Sequence, residues 1–204
     1  MTNPRVECLF ATRLYRAELG RAANAELERS CLAVAREDKA GRRWCKAHGY
    51  KGYTSYASLD DLPVRAPAFA DLAKTLDKHA ARFAKALDWD LSGRKLALDS
   101  LWINVMERGS LHAGHIHPHS AVSGTYYVTA PRGAAAIRFE DPRLAMMMAA
   151  PAKRAKAARE TRTFVGVAPR PGTLLLWESF LRHEVPPNGA KGHRISISFN
   201  YALR

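Results

Sequence analysis

The chain has 204 residues, 47% of them hydrophobic, which is material for one buried core and sets wholesale disorder aside. Lysine and arginine (32) exceed aspartate and glutamate (19) by 13, but the charges are scattered and no RNP-like, KH-like or zinc-finger pattern accompanies them. The excess therefore points to an anionic small partner rather than to nucleic acid.

Residues 12 to 38 space Leu14, Leu19, Leu27 and Leu32 at loose helical intervals and are expected to be helical. Gly20 weakens that pattern and leaves open a short strand or turn followed by a helix. Residues 41 to 65 mix glycine, tyrosine and serine without a period and read as loop. Pro67 opens a stretch in which Phe69, Leu72, Leu76, His79, Phe83 and Leu87 form an apolar stripe at helical spacing. His79, lying on that stripe, reads as a packed, hydrogen-bonded histidine rather than a ligand.

From about residue 96 the texture changes to short runs rich in β-branched and aromatic residues. These are LALDSLWINVM, SGTYYVTA, AAAIRFE, TRTFVGV, GTLLLWE, RHEVP and HRISISFNYAL. Strands at this spacing, mostly without helices between them, indicate an antiparallel sandwich or barrel. Residues 142 to 162 are the exception. Their alanines and basic residues suit a short helix from Pro151, inserted between two strands and either lying over a site opening or simply solvated. Met146 to Met148 read as packing, and Trp102 and Trp177 as core aromatics that wall a pocket. The chain thus divides into a helical and loop extension over residues 1–95 and a β core over residues 96–204, together one structural unit.

Three cysteines without a CxxC pair argue against a disulfide framework. No apolar run approaches a membrane span, and the first ten residues lack a signal-peptide pattern. A cytoplasmic protein without a membrane partner is the expectation. Nothing in the sequence bears on oligomeric state.

Four of the eight histidines fall within HAGHIHPH, residues 112 to 119. In an extended chain His115 and His117 point to one face, so two imidazoles can share one metal ion. Pro118 keeps His117 out of helical geometry. His112 and His119 fall outside that pair and read as supporting groups, substrate groups or surface. A third ligand is needed, and His183, isolated on a polar edge between apolar runs, is the candidate. In the last strand, alternation places Arg194, Ser196, Ser198 and Asn200 on one face and Ile195, Ile197, Phe199 and Tyr201 on the other. Composition alone favours the isoleucines inside and Arg194 in water; the opposite choice buries a guanidinium that would require an anion.

The succession HxHP, SGTYYV, FEDPR, PGTLLLWESFLRHEV with PN following, and RISISFNY resembles the 2-oxoglutarate/iron(II) oxygenase family, prolyl-hydroxylase-like enzymes of the double-stranded β-helix superfamily. GYTSYASLDDLP and SLWINVM are similar to the family's approach to the barrel, so the likeness runs over nearly the whole chain. It implies a mainly β protein with N-terminal helices and a double-stranded β-helix (jelly roll) core. It also implies Fe(II) and the cosubstrate 2-oxoglutarate, and a dioxygenase that hydroxylates or otherwise oxidises a small-molecule or carrier-borne substrate.

Carried over by position, His115 and His183 match the first and distal metal ligands. Arg194 and Ser196 match the pair that holds the far carboxylate of 2-oxoglutarate. His117 stands where the superfamily places a carboxylate, which leaves a three-nitrogen set also suited to zinc or a cupin-type site. Asp141 is the carboxylate that could substitute if His117 turns away, although it and Glu140 could equally pair with Arg143. Asn104 and Tyr127 are candidate hydrogen-bond donors to the cosubstrate, or plain capping and core residues. The alternative function is a cupin-like three-histidine metalloprotein without oxygenase activity, acting as an isomerase, a hydrolase or a ligand sensor.

Overall fold

In the computed structural model, which describes residues 4–204, two antiparallel sheets face each other and helices cover one of them. Strand β1 (Leu14–Glu18) and helices α1 (Asn24–Glu37) and α2 (Lys39–Ala47) come first, followed by β2 (Tyr53–Thr54), α3 (Leu62–Arg65) and α4 (Pro67–Ala86). Eight strands follow: β3 (Leu96–Met106), β4 (His112–His115), β5 (Val122–Thr129), β6 (Ile137–Glu140), β7 (Phe164–Val167), β8 (Thr173–Glu178), β9 (His183–Val185) and β10 (Arg194–Leu203). The six-stranded sheet has the order β1-β8-β5-β10-β3-β2 and the four-stranded sheet the order β4-β9-β6-β7. The chain passes between the sheets so that its neighbours in sequence are seldom neighbours in a sheet. This is the mainly β, double-stranded β-helix expected above. Among the described residues no helix is long and apolar enough to cross a membrane.

Alternation in β10 decides where everything sits. Ile195, Ile197, Phe199 and Tyr201 join the cluster that contains Leu72, Leu76 and Phe83 of α4, and all are buried. Arg194, Ser196 and Asn200 are buried as well, on the other face, between the sheets. The choice posed by composition, one face in and one in water, was too narrow, because the helices supply a second core. Each large apolar side chain of α4 so covered contributes roughly 1.5–3 kcal/mol. Polar contacts fix the layer: Tyr201 Oη donates to Asp77 Oδ1 (2.8 Å), and Tyr15 Oη and His79 Nδ1 share a hydrogen bond (2.8 Å).

Gly124 of β5 lies under the ring of Phe199, its register partner on β10. A Cβ there would come within 2.4 Å of Phe199 Cζ and 2.7 Å of the Leu175 carbonyl oxygen. Phe199 occupies the space that a side chain at 124 would need.

Four sequence expectations need correction. Residues 12–38 are not one helix; Leu14–Glu18 pairs with the edge of β8, and Gly20, at φ +77°, separates it from α1, as the strand-then-helix alternative had it. Residues 41–65 are not all loop, because α2 occupies their start. Asp38 caps it, accepting from the Gly41 N–H (2.9 Å), and also accepts from Tyr53 Oη and Ser58 Oγ. The helix is held by these bonds and by the buried Cys45, not by an apolar stripe, so periodicity could not reveal it. Residues 142–162 form no α-helix, only 3-10 turns at Leu144–Met146 and Arg159–Thr161. An alanine-rich segment without an apolar face to bury lacks the packing that stabilises short helices. Met146 and Met148, 76% and 95% exposed, do not pack.

Candidate active site

β4 and β9 lie side by side in the four-stranded sheet, with His115 directly opposite His183 in the register. The rings of His115 and His183 are 4.4 Å apart, those of His115 and His117 5.0 Å, and those of His117 and His183 5.2 Å. One ring nitrogen from each can be chosen so that all three lie within 4.8 Å of one another. His117 is positioned by its backbone N–H, which donates to the Ser179 carbonyl (3.1 Å). His115 Nδ1 contacts the Ala113 carbonyl (2.7 Å) and His183 Nδ1 the Leu181 carbonyl (2.9 Å). A carbonyl only accepts, so each Nδ1 carries a proton, and Nε2 is the nitrogen of each ring left to offer a lone pair to a metal.

Burial, reinforced by the positive charge His115 would carry, pushes His183 down to about 3 and His117 to about 4. Both imidazoles are therefore neutral at pH 7, the form that binds metal. His112 is pushed to about 3 by burial and by Arg194, and its Nε2 shares a 2.6 Å hydrogen bond with Tyr50 Oη. His119 is exposed at φ +68° and stands apart from the cluster.

Arg194 and Ser196 line the same hollow as the three histidines. Arg194 is 2% exposed. Nε donates to the Ala135 carbonyl (3.2 Å), and Nη1 reaches Met106 Sδ (3.2 Å) and Ser196 Oγ (3.4 Å). Its carbon sits 5.1 Å from the centroid of the Tyr127 ring. Among the described residues no carboxylate lies within ion-pairing distance of it. A buried cation without an anion costs several kcal/mol, roughly, so the hollow is built for an anionic guest. Tyr127 Oη and Trp177 Nε1 are also buried without a hydrogen-bond partner among the described residues.

The remaining candidates fall elsewhere. Asp141 is gripped by Arg143, with Nε–Oδ1 at 3.0 Å and Nη2–Oδ2 at 2.8 Å, and is no part of the three-histidine cluster. Glu140 pairs with Arg182. Asn104 is buried with its amide engaged by Thr54 and Ser198, so it does not present itself to the hollow directly. Trp102 and Trp177 do wall the hollow. Sequence reasoning missed Tyr50 and Thr125. The alternation of SGTYYV, applied as it was to β10, would have put Thr125 on one face with Tyr127.

A family model described as "Putative 2OG-Fe(II) oxygenase" matches residues 100–200, the span from β3 to β10. The chain belongs to the 2OG-Fe(II) oxygenase family. Among solved structures, the α-ketoglutarate-dependent epimerase SnoN from nogalamycin biosynthesis aligns at 15% identity and TM-score 0.63, covering 94% of this chain and 76% of its own. A Pseudomonas putida prolyl-4-hydroxylase aligns at 15% identity and TM-score 0.58, covering 95% and 94%. HygX from Streptomyces hygroscopicus, solved with nickel and 2-oxoglutarate bound, aligns at 17% identity and TM-score 0.58, covering 94% and 83%. At these identities the likeness is one of fold. The chain spans 46% of the length of one further match, a Burkholderia pseudomallei oxidoreductase, at a TM-score of 0.41. No protein of curated function matches the sequence.

The 2OG-Fe(II) oxygenase family carries two cofactors in its name, and the hollow suits both. Three imidazoles grouped within reach of one ion, two of them with Nδ1 on a carbonyl and Nε2 turned free, form a donor set for a divalent first-row metal. The guanidinium of Arg194, without a carboxylate partner among the described residues, suits a dicarboxylate.

Proposed function

We propose that this protein is a 2-oxoglutarate- and Fe(II)-dependent dioxygenase in which His115, His117 and His183 hold the metal and Arg194, with Ser196, holds the far carboxylate of 2-oxoglutarate. The observation that carries this reading is the buried Arg194, without a counter-ion among the described residues, in the same hollow as three clustered imidazoles. Iron(II) and 2-oxoglutarate together supply oxygen activation with oxidative decarboxylation of the cosubstrate.

The chain's own residues supply orientation and dryness. The Ala113 and Leu181 carbonyls lock the His115 and His183 rings by accepting from Nδ1. Arg194 offers its fork to a carboxylate, an arrangement stronger than a neutral hydrogen bond. Trp102 and Trp177 keep bulk water from the hollow.

The substrate is a small or carrier-borne molecule with anionic character. Support comes from residues 142–162, where Lys153, Arg154, Lys156, Arg159 and Arg162 are exposed and Glu160 is the one acidic residue. The base of this segment is closed by Asp141 N–H donating to the Thr163 carbonyl (2.8 Å), two residues beyond Phe139, the register partner of His183. Its positive charge therefore stands near the metal end and favours approach of anions. The three cysteines are free thiols, which supports a cytoplasmic setting.

Succinate formation from 2-oxoglutarate in the presence of iron(II) and oxygen tests the reading. Absence of turnover with every candidate substrate, together with no 2-oxoglutarate-dependent absorbance under anaerobic conditions, would count against it. The three-nitrogen set favours one alternative, a zinc-holding cupin-like protein. Zinc retained through iron reconstitution, with ligand affinity untouched by Arg194→Ala, would select that one.

A further inference from the structure

Four side chains cross the inner face of the six-stranded sheet, from β2, β3, β10 and β5 in turn: Thr54, Asn104, Ser198 and Thr125. The Thr54 hydroxyl donates to Asn104 Oδ1 (3.0 Å), the Asn104 amide to Ser198 Oγ (3.1 Å), and the Ser198 hydroxyl to Thr125 Oγ1 (3.4 Å). The sense of the chain follows from its start. Thr54 Oγ1 already accepts from the Tyr56 backbone N–H (3.3 Å), so its proton remains to be given to the Asn104 carbonyl oxygen. Donors aligned head to tail in a buried setting polarise one another.

The far end is left open. Thr125 Oγ1 accepts from Ser198, and its own O–H meets no acceptor among the described residues. Thr125 is 4% exposed and lines the hollow that holds Arg194 and the three histidines. A buried donor without an acceptor is costly, so the missing acceptor belongs to whatever fills the hollow.

We infer that Thr125 anchors 2-oxoglutarate by donating its hydroxyl to one of the cosubstrate's oxygens, and that Asn104 and Ser198 are positioning residues that keep that donor turned inward. This rests on the 2-oxoglutarate reading above. It moves Asn104 from direct contact with the cosubstrate to a place two hydrogen bonds behind Thr125.

The test is calorimetric titration of 2-oxoglutarate into the full chain loaded with manganese(II) under anaerobic conditions, so that binding is read without turnover. Thr125→Val replaces the hydroxyl with a methyl group of similar shape and is expected to raise Kd about ten-fold, the usual weight of one hydrogen bond to a charged acceptor. Thr125→Ser keeps the hydroxyl and should restore Kd to within about three-fold of the wild type, on the same scale. Ser198→Ala should fall between the two. A purely structural role would instead lower the urea midpoint of Thr125→Val with Kd unchanged, and that result overturns the inference. Should Thr125→Val not fold, Thr125→Ala and Ser198→Ala repeat the comparison with smaller changes. Wild-type protein that binds no 2-oxoglutarate sinks the proposed function and this assignment together; wild type and Thr125→Val binding equally well sinks this assignment alone.

Discussion

His115 and His183 are register partners across the β4–β9 ladder, with rings 4.4 Å apart, so the backbone pairing of the smaller sheet itself sets the distance between two candidate ligands. Replacing His183 with Ala should therefore leave the fold standing and remove tight metal binding. Loss of a supporting hydrogen bond to a ligand already weakens metal affinity about 10–100-fold, and loss of the ligand should exceed that. Elemental analysis after equilibration with iron(II) or zinc(II) reads the outcome, and stoichiometric metal in the variant would contradict the assignment.

Arg194 predicts two effects of opposite sign. Arg194→Met removes a buried cation that has no counter-ion, so the ligand-free protein should gain stability, by roughly 1–4 kcal/mol. The same change should weaken 2-oxoglutarate binding by about 2–5 kcal/mol, the cost of truncating one partner of a buried charge pair. Urea denaturation and calorimetric titration measure the two separately. A variant that is both less stable and an equally good binder would show that the guanidinium serves packing only.

Acid should destabilise the metal-free protein early. Histidines in an unfolded chain titrate near 6.5, whereas burial holds His112 and His183 at about 3 and His117 at about 4 in the folded state. Between those values the unfolded chain binds more protons, so stability is complete above about pH 6.5 and falls as pH drops. Each such histidine removes about 1.4 kcal/mol per pH unit within that window. Urea midpoints recorded from pH 7 to pH 4.5 on chelator-treated protein check this, and a flat profile down to pH 5 would be inconsistent with it.

Gly124→Ala tests the packing beneath the hollow. The added methyl meets Phe199 on one side and the Leu175 carbonyl on the other, and only the ring can yield. A destabilisation of about 1–3 kcal/mol or more is expected, as for other overpacked cores. Thermal unfolding reads it, and pairing the change with Phe199→Leu should recover part of the loss.

Much of this was legible beforehand. LALDSLWINVM coincides with β3, and HRISISFNYAL contains β10, because alternation with β-branched residues marks strands that pair on both sides. The His115–His117 spacing is local, so two of the three clustered histidines were visible as a pair and His183 as an isolated third candidate, while the inward turn of Arg194 needed the family likeness. What escaped were features held by single polar contacts between distant residues. α2 rests on Asp38, and the Tyr50–His112 pair spans 62 positions. Thr125 looked like an ordinary sheet-former, since no local pattern states which face of a doubly covered sheet looks onto a cavity.

The two N-terminal strands have a practical consequence for anyone shortening this protein. β1 closes one margin of the larger sheet against β8, and β2 closes the other against β3. Cutting the chain back to its family-matched barrel would bare unpaired N–H and C=O rows on both flanks, an invitation to intermolecular strand addition. Such a fragment should precipitate or swap strands even if its histidines and Arg194 were perfectly placed.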